Sequence, residues 1–154
     1  MEVNTRNINM FLLLRLPSAF ICGVRLKHID RQSCRVSVKH LWINQNPFKS
    51  MYFAVQAMAA ELSTGALVMK EIQISKRNIS MLVTANKSIF IKRATGRINF
   101  ICNDGALVSE ALSVAIATSE KQVLILKSTG ENEAGEKVCE MEFEWNIKLR
   151  DANK

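Results

Sequence analysis

The chain is poor in residues that punctuate or specialise a protein. Six glycines and two prolines in 154 residues leave little room for long linkers. The two histidines, His28 and His40, stand apart from any constellation, which leaves a serine–histidine–aspartate triad or a metal site with little support. The four cysteines, Cys22, Cys34, Cys102 and Cys139, form no Cys-x-x-Cys pair, which argues against zinc and redox motifs. Each lies in an apolar or alternating segment and reads as a buried free thiol, the state a reducing cytoplasm maintains. No repeat or low-complexity tract is present. The start reads as a short amphipathic helix and not as a signal peptide. Arg15 interrupts the apolar run Met10–Leu14, and Glu2 and Asn4 precede it in place of a strongly basic start.

Acidic residues are scarce and unevenly spread. Residues 1–60 carry eight Lys/Arg against two Asp/Glu, and Ile72–Asn103 holds six basic residues and no acidic one, within a net charge of +7. Such a bias suits anionic partners, or is simply a solvated basic face. No nucleic-acid motif accompanies it, so no nucleic-acid partner is expected.

What the chain does have is hydrophobic residues, 48% against 23% charged, which predicts one globular domain over residues 1–154. Its most informative stretch is Ser50–Met69, SMYFAVQAMAAELSTGALVM, twenty residues whose only carboxylate is Glu61. A helix apolar nearly all round must be buried, in a membrane or in protein. Glu61 at mid-membrane would cost roughly 2.5–3.5 kcal/mol. Half the segment is Ala, Ser, Thr, Gly and Gln, which lowers its hydrophobicity. The expectation is therefore a protein core and no membrane partner.

The surrounding segments alternate. Cys34, Val36, Val38, His40 and Trp42 share one face of a strand read over Cys34–Trp42. Cys139, Met141, Phe143, Trp145, Ile147 and Leu149 alternate with Glu140, Glu142, Glu144, Asn146 and Lys148. Further strands are read at Cys22–Ile29, Ile79–Ile91 (with a bulge at Asn86–Ser88), Arg97–Cys102 and Gln122–Lys127. Helices are read over Asn4–Leu16, from Phe48 or Lys49 to Lys70, and over Ala106–Thr118 with Asp104 as N-cap. Gly130–Glu136 reads as a hairpin loop. Strands with one apolar face and a helix apolar all round are both satisfied by a curved antiparallel sheet wrapped around the helix.

That order, and the stretch Trp42-Ile43-Asn44-Gln45-Asn46-Pro47-Phe48-Lys49-Ser50-Met51-Tyr52-Phe53 followed by Ala59-Ala60-Glu61-Leu62, resembles the hotdog-fold thioesterase superfamily. The resemblance is to an uncharacterised bacterial branch related to phenylacetic-acid-type acyl-CoA thioesterases. It implies an α+β hotdog fold of about six strands around a long central helix, with a short N-terminal helix. It also implies a homodimer or homotetramer with sites between subunits, acting on an acyl-CoA or acyl-carrier thioester. Coenzyme A would enter as part of the substrate, with no other cofactor and no metal. The helix N-terminus would polarise the thioester carbonyl.

On this resemblance, Glu61 and Asn46 are the catalytic candidates. Phe48, Met51, Tyr52 and Gln56 are candidates for substrate contact, and Lys92, Arg93 and Arg97 for the coenzyme A phosphates. Phe48-Lys49-Ser50 stands where many relatives carry His-Gly-Gly, and the usual count for the family acid falls on Ala57, one turn before Glu61. The readings that compete with catalysis are a structural role for Glu61 and a non-catalytic acyl-binding or structural hotdog protein.

Overall fold

The apolar segment forms a helix that its own sheet encloses. In the computed structural model, which describes residues 2–150, α3 runs over Phe53–Ser75. The outermost residues of the 1–154 domain reading lie outside the described residues. Before α3 come α1 (Thr5–Arg15), α2 (Pro17–Ile21), β1 (Arg25–Ile29), β2 (Cys34–Lys39) and a 3₁₀ turn at Trp42–Asn44. After it come β3 (Ile79–Phe90), β4 (Arg97–Cys102), α4 (Gly105–Thr118), β5 (Gln122–Glu131) and β6 (Lys137–Leu149). The six strands make one antiparallel sheet in the order β1-β2-β4-β5-β6-β3. This is the hotdog fold.

The alternation on β6 is realised as expected: Cys139, Met141, Phe143, Trp145 and Ile147 are buried. They face α3 together with Val36 and Val38 of β2 and Ile98 and Phe100 of β4, in one hydrophobic cluster. Small and hydroxylated residues of α3 let the sheet approach closely. The Trp145 indole donates to Thr64 Oγ1 at 3.1 Å, and Ser63 and Ser128 hydroxyls meet at 2.7 Å. A Cβ on Gly65 would lie 2.9 Å from the Trp145 ring, so only glycine permits this spacing. No helix among the described residues is long and apolar enough to cross a membrane.

Several boundaries differ from the sequence reading, each for a local reason. Helix α3 starts at Phe53, not at Phe48 or Lys49, because the Asn46 side chain holds residues 46–50 in a tight loop. Its Oδ1 accepts from the N–H groups of Phe48 (2.9 Å) and Ser50 (3.2 Å), and Lys49 has φ 56°. The helix continues past Lys70 to Ser75 and ends at a left-handed Lys76. Strand β2 stops at Lys39, short of His40 and Trp42. Buried Asn44 draws the chain into the 3₁₀ turn, accepting from Leu41 N–H and donating to the Cys22 and Lys39 carbonyls at 2.9 and 2.8 Å. Pro17 ends α1 but opens α2, so β1 begins at Arg25 and not at Cys22. The β3 bulge falls between Val83 and Ala85, before the expected Asn86–Ser88. Asp104 does not cap α4 with its side chain; its Oδ2 accepts from Lys127 N–H at 2.7 Å. Strand β5 extends to Glu131 by pairing with β6, which shortens the hairpin loop.

Candidate active site at the start of the central helix

The N-terminus of α3 opens onto a cleft of about 470 Å³. Three backbone hydrogen bonds build its floor. Met51 N–H donates to Ala94 O, Tyr52 N–H to Asn44 O, and Asn46 N–H to Ser50 O, each at 2.8 Å. The first two tie the β2–α3 loop to the β3–β4 loop and to the Asn44 turn, so segments distant in sequence share one cleft.

Seven of the nine residues singled out from the sequence line it: Asn46, Phe48, Met51, Tyr52, Gln56, Lys92 and Arg93. Phe53, Phe90 and Ile91 complete an apolar wall. Phe53 stacks edge-on with Tyr52 and with Phe90, at centroid distances of 5.0 and 6.5 Å. Phe90 and Ile91 carried no functional expectation. Their exposure at the end of a strand became legible only with the β3–β4 loop in place.

Gln56 has the most informative geometry. It is 6% exposed, its Nε2 donates to Met51 O at 3.1 Å, and its Oε1 is buried with no partner. A buried acceptor left unpaired carries a desolvation cost, so a donor entering the cleft would relieve it. Beside it, α3 begins without a side-chain cap on Tyr52. The N–H groups of Phe53 and Ala54 find no acceptor among the described residues. The cleft thus presents N–H donors with the positive end of a long helix behind them.

Asn46 is more committed. Its amide closes the 46–50 loop through Phe48, Ser50 N–H and the Ser50 hydroxyl. Lys92 is paired with Glu136 at 2.6 Å, while Arg93 meets no carboxylate among the described residues.

Glu61 and Arg97 lie outside the cleft. Arg97 sits on β4, where its guanidinium reaches Ser37 Oγ of β2 at 3.4 Å. Glu61 is two turns along α3, partly open, with no hydrogen-bond or ion-pair partner among the described residues. Burial pushes its carboxyl above the ordinary glutamate range. Ala54, Ala57, Met58 and Glu61 form a partly open stripe on one helix face, whereas Leu62–Val68 are all buried.

A second carboxylate on α3 was not anticipated. Glu71, just beyond the apolar stretch, accepts from Arg31 Nη2 at 2.8 Å and from the Ser109 hydroxyl. Burial pushes its carboxyl up, but these hydrogen bonds and the Arg31 charge outweigh that and hold it below the ordinary range. No group of three or more potential metal-ligating side chains occurs among the described residues.

Solved structures share the architecture. A Pseudomonas aeruginosa protein of unknown function, described as a probable thioesterase, superposes with TM-score 0.84 at 21% identity, covering 97% of this chain and 99% of that one. A Chlorobaculum tepidum protein of unknown function gives TM-score 0.82 at 16% identity, with 95% and 94% covered. A Haemophilus influenzae thioesterase gives TM-score 0.72 at 9% identity, with 98% and 95% covered. At such identities the likeness establishes the fold. No curated protein matches. Residues 5–147, nearly the whole chain, match one family, so the protein belongs to the family described as domain of unknown function DUF4442.

Proposed function

We propose that the chain hydrolyses an acyl thioester, borne by coenzyme A or a carrier protein, in a homodimer whose second copy closes the cleft. The observation that carries this reading is the buried, unpaired Oε1 of Gln56 beside the uncapped start of α3. A thioester has one carbonyl to polarise, and a pantetheine arm brings amide N–H donors.

In this reading the Phe53 and Ala54 N–H groups hold the carbonyl oxygen and stabilise the charge it gains. Gln56 accepts from an amide of the arm or from the attacking water. Glu61 takes a proton from that water as its oxygen bonds to the carbonyl carbon. The carbon–sulfur bond breaks, and the proton passes to the departing thiolate. A carboxylate whose affinity for a proton is raised by burial is a stronger base than an ordinary glutamate, which suits a group that must take a proton from water. Arg93 and Lys92 face the phosphates. No cofactor beyond the substrate is required.

The second copy is part of the proposal because the open stripe on α3 leads to Glu61, and β3 is a twelve-residue strand paired on one side only. Leu82 and Ile89 are exposed on β3, as a pairing edge would require. A specific observation favours the second reading, an acyl-binding protein without turnover: Glu61 does not line the cleft of a single copy.

Thiol release across a panel of acyl-CoAs, with wild type and Glu61→Gln, separates the two. Hydrolysis lost in the variant supports catalysis. Binding without turnover in both supports the second reading. Light scattering on Ile89→Asp tests the dimer, which this charge at the β3 edge should dissociate.

A further inference from the structure

Strand β5 is paired on both sides for only part of its length. β6 follows it throughout, but β4 meets it only at residues 129–131. Beside residues 122–126 the other flank has no strand among the described residues. Lys127 N–H turns away from β6, to Asp104 Oδ2 at 2.7 Å, and the register to β6 is regular across this stretch. Ile125 and Val123, two and four residues earlier, therefore turn their main-chain groups the same way. Neither N–H finds an acceptor among the described residues.

A free strand edge is normally paired or covered, and this chain covers one. On β1, the Asn9 carboxamide accepts from Leu26 N–H and donates to Leu26 O, both at 2.9 Å. No side chain does this for Val123 and Ile125 among the described residues, and they are 52% and 58% exposed. Helix α4 lies alongside. Its Leu107, Glu110, Ala111 and Val114 recur at the spacing of one helix face and, with the β5 edge, line a groove of about 320 Å³. The charge here runs against the basic trend of the chain. Glu110 lies in the groove, Glu120 precedes β5, and Glu144 stands opposite Ile125 on β6. Of the nearby cations Lys121 and Lys127, the second is paired with Glu140.

We propose that this groove binds an extended segment of another protein, which adds to β5 as a short strand. Main-chain hydrogen bonds to Val123 and Ile125 hold it, its alternate apolar side chains rest on α4, and a lysine or arginine meets Glu110. A second copy of this chain has no strand that suits the place. The open run is five residues, against twelve in β3, so a second copy's β3 would leave most of its edge unpaired. A second copy's β5, laid antiparallel, would bring its own α4 along, only residues 119–121 away. That helix would fall on Asp104 and the β1–β2 turn, which close the groove beyond Lys127 and are joined by Gly105 N–H to Gln32 O at 3.1 Å. A lone segment meets neither obstacle. The inference does not depend on catalysis or on the cleft.

A phage-displayed library of random short peptides, panned on the full chain, is the probe. Enriched peptides should alternate apolar residues and carry lysine or arginine. A synthetic copy of one should slow hydrogen exchange at the Val123 and Ile125 amides about tenfold or more, and leave Leu124, which faces β6, unchanged. Methylating alternate main-chain nitrogens of the peptide should abolish binding in one phase and spare it in the other. Ile125→Pro removes one free N–H and no bond to β6. Leu107→Glu spoils the floor at an exposed position. Each should weaken binding about tenfold, and Glu110→Lys should do so for a lysine-bearing peptide. The proposal is overturned if panning enriches no peptide, or if the bound peptide protects amides elsewhere. It is also overturned if Ile125→Pro and Leu107→Glu both bind as wild type does. Sedimentation in which wild type self-associates and Leu107→Glu does not would assign the groove to a second copy, and would overturn it as well.

Discussion

The two halves of α3 are built on opposite terms. From Leu62 onward its polar groups are spent: Ser63 on Ser128, Thr64 on Trp145, Glu71 on Arg31 and Ser109. From Phe53 to Glu61 they are not. The helix start is uncapped, Gln56 has an unpaired oxygen, and Glu61 has no partner among the described residues. One helix thus carries a satisfied half that holds the fold and an unsatisfied half to which the proposed function assigns the ligand. Unpaired buried groups cost stability, and on α3 they fall in the half that begins at the cleft, which is the half the proposed function puts to work.

Removing the two carboxylates should therefore have unlike effects. Glu61→Gln should reduce thioester hydrolysis roughly 10²–10⁴-fold with no loss of thermal stability, measured by thiol release and by calorimetry. Glu71→Ala should leave the cleft intact and cost roughly 1–3 kcal/mol in urea unfolding. That is below the value for a fully buried pair, because Arg31 is 58% exposed. Equal loss of stability in both variants would erase the distinction.

A smaller effect sharpens it. Gln56→Met keeps the bulk and removes the unpaired acceptor, so it should raise the KM for acyl-CoA about tenfold while stability stays level or rises. An unchanged KM would detach Gln56 from the ligand.

The smallest effect is one of sign. The Glu61 carboxyl is raised in the folded protein, so its contribution to stability is present below the unfolded glutamate value and lost as pH rises through the folded one. The Glu71 carboxyl is lowered, so its contribution is present above the unfolded value and lost as pH falls through the folded one. Urea midpoints compared at pH 7 should rise for Glu61→Gln and fall for Glu71→Gln. Midpoints that move together would show that the two carboxylates share an environment.

Much of this was readable along the chain, where the signal was periodic. The two-residue alternation of Cys139–Leu149 and the apolar run of α3 specify a sheet around a helix, because each states which face must leave water. The loop between them was not readable. Asn44 and Asn46 look alike as polar residues near a proline, yet one clamps the Trp42 turn and the other winds residues 46–50 ahead of α3. Side-chain hydrogen bonds to a distant or folded-back main chain leave no period. For the same reason Glu71 escaped notice, since its partners lie 40 and 38 residues away. The cleft was half legible: its residues came from the Asn46–Gln56 segment and from Lys92 and Arg93, but their distance from Glu61 did not.

The strand order also sets a timetable. β3 pairs with β6 alone, and β6 is the last strand of the sheet to be made. A ribosome adding about 5–20 residues per second needs several seconds to pass from Phe90 to Leu149. Through that interval the strand that follows the central helix has no neighbour in its own chain. The newborn chain is most adhesive just before β6 emerges, and its exit from that state depends on that thirteen-residue strand.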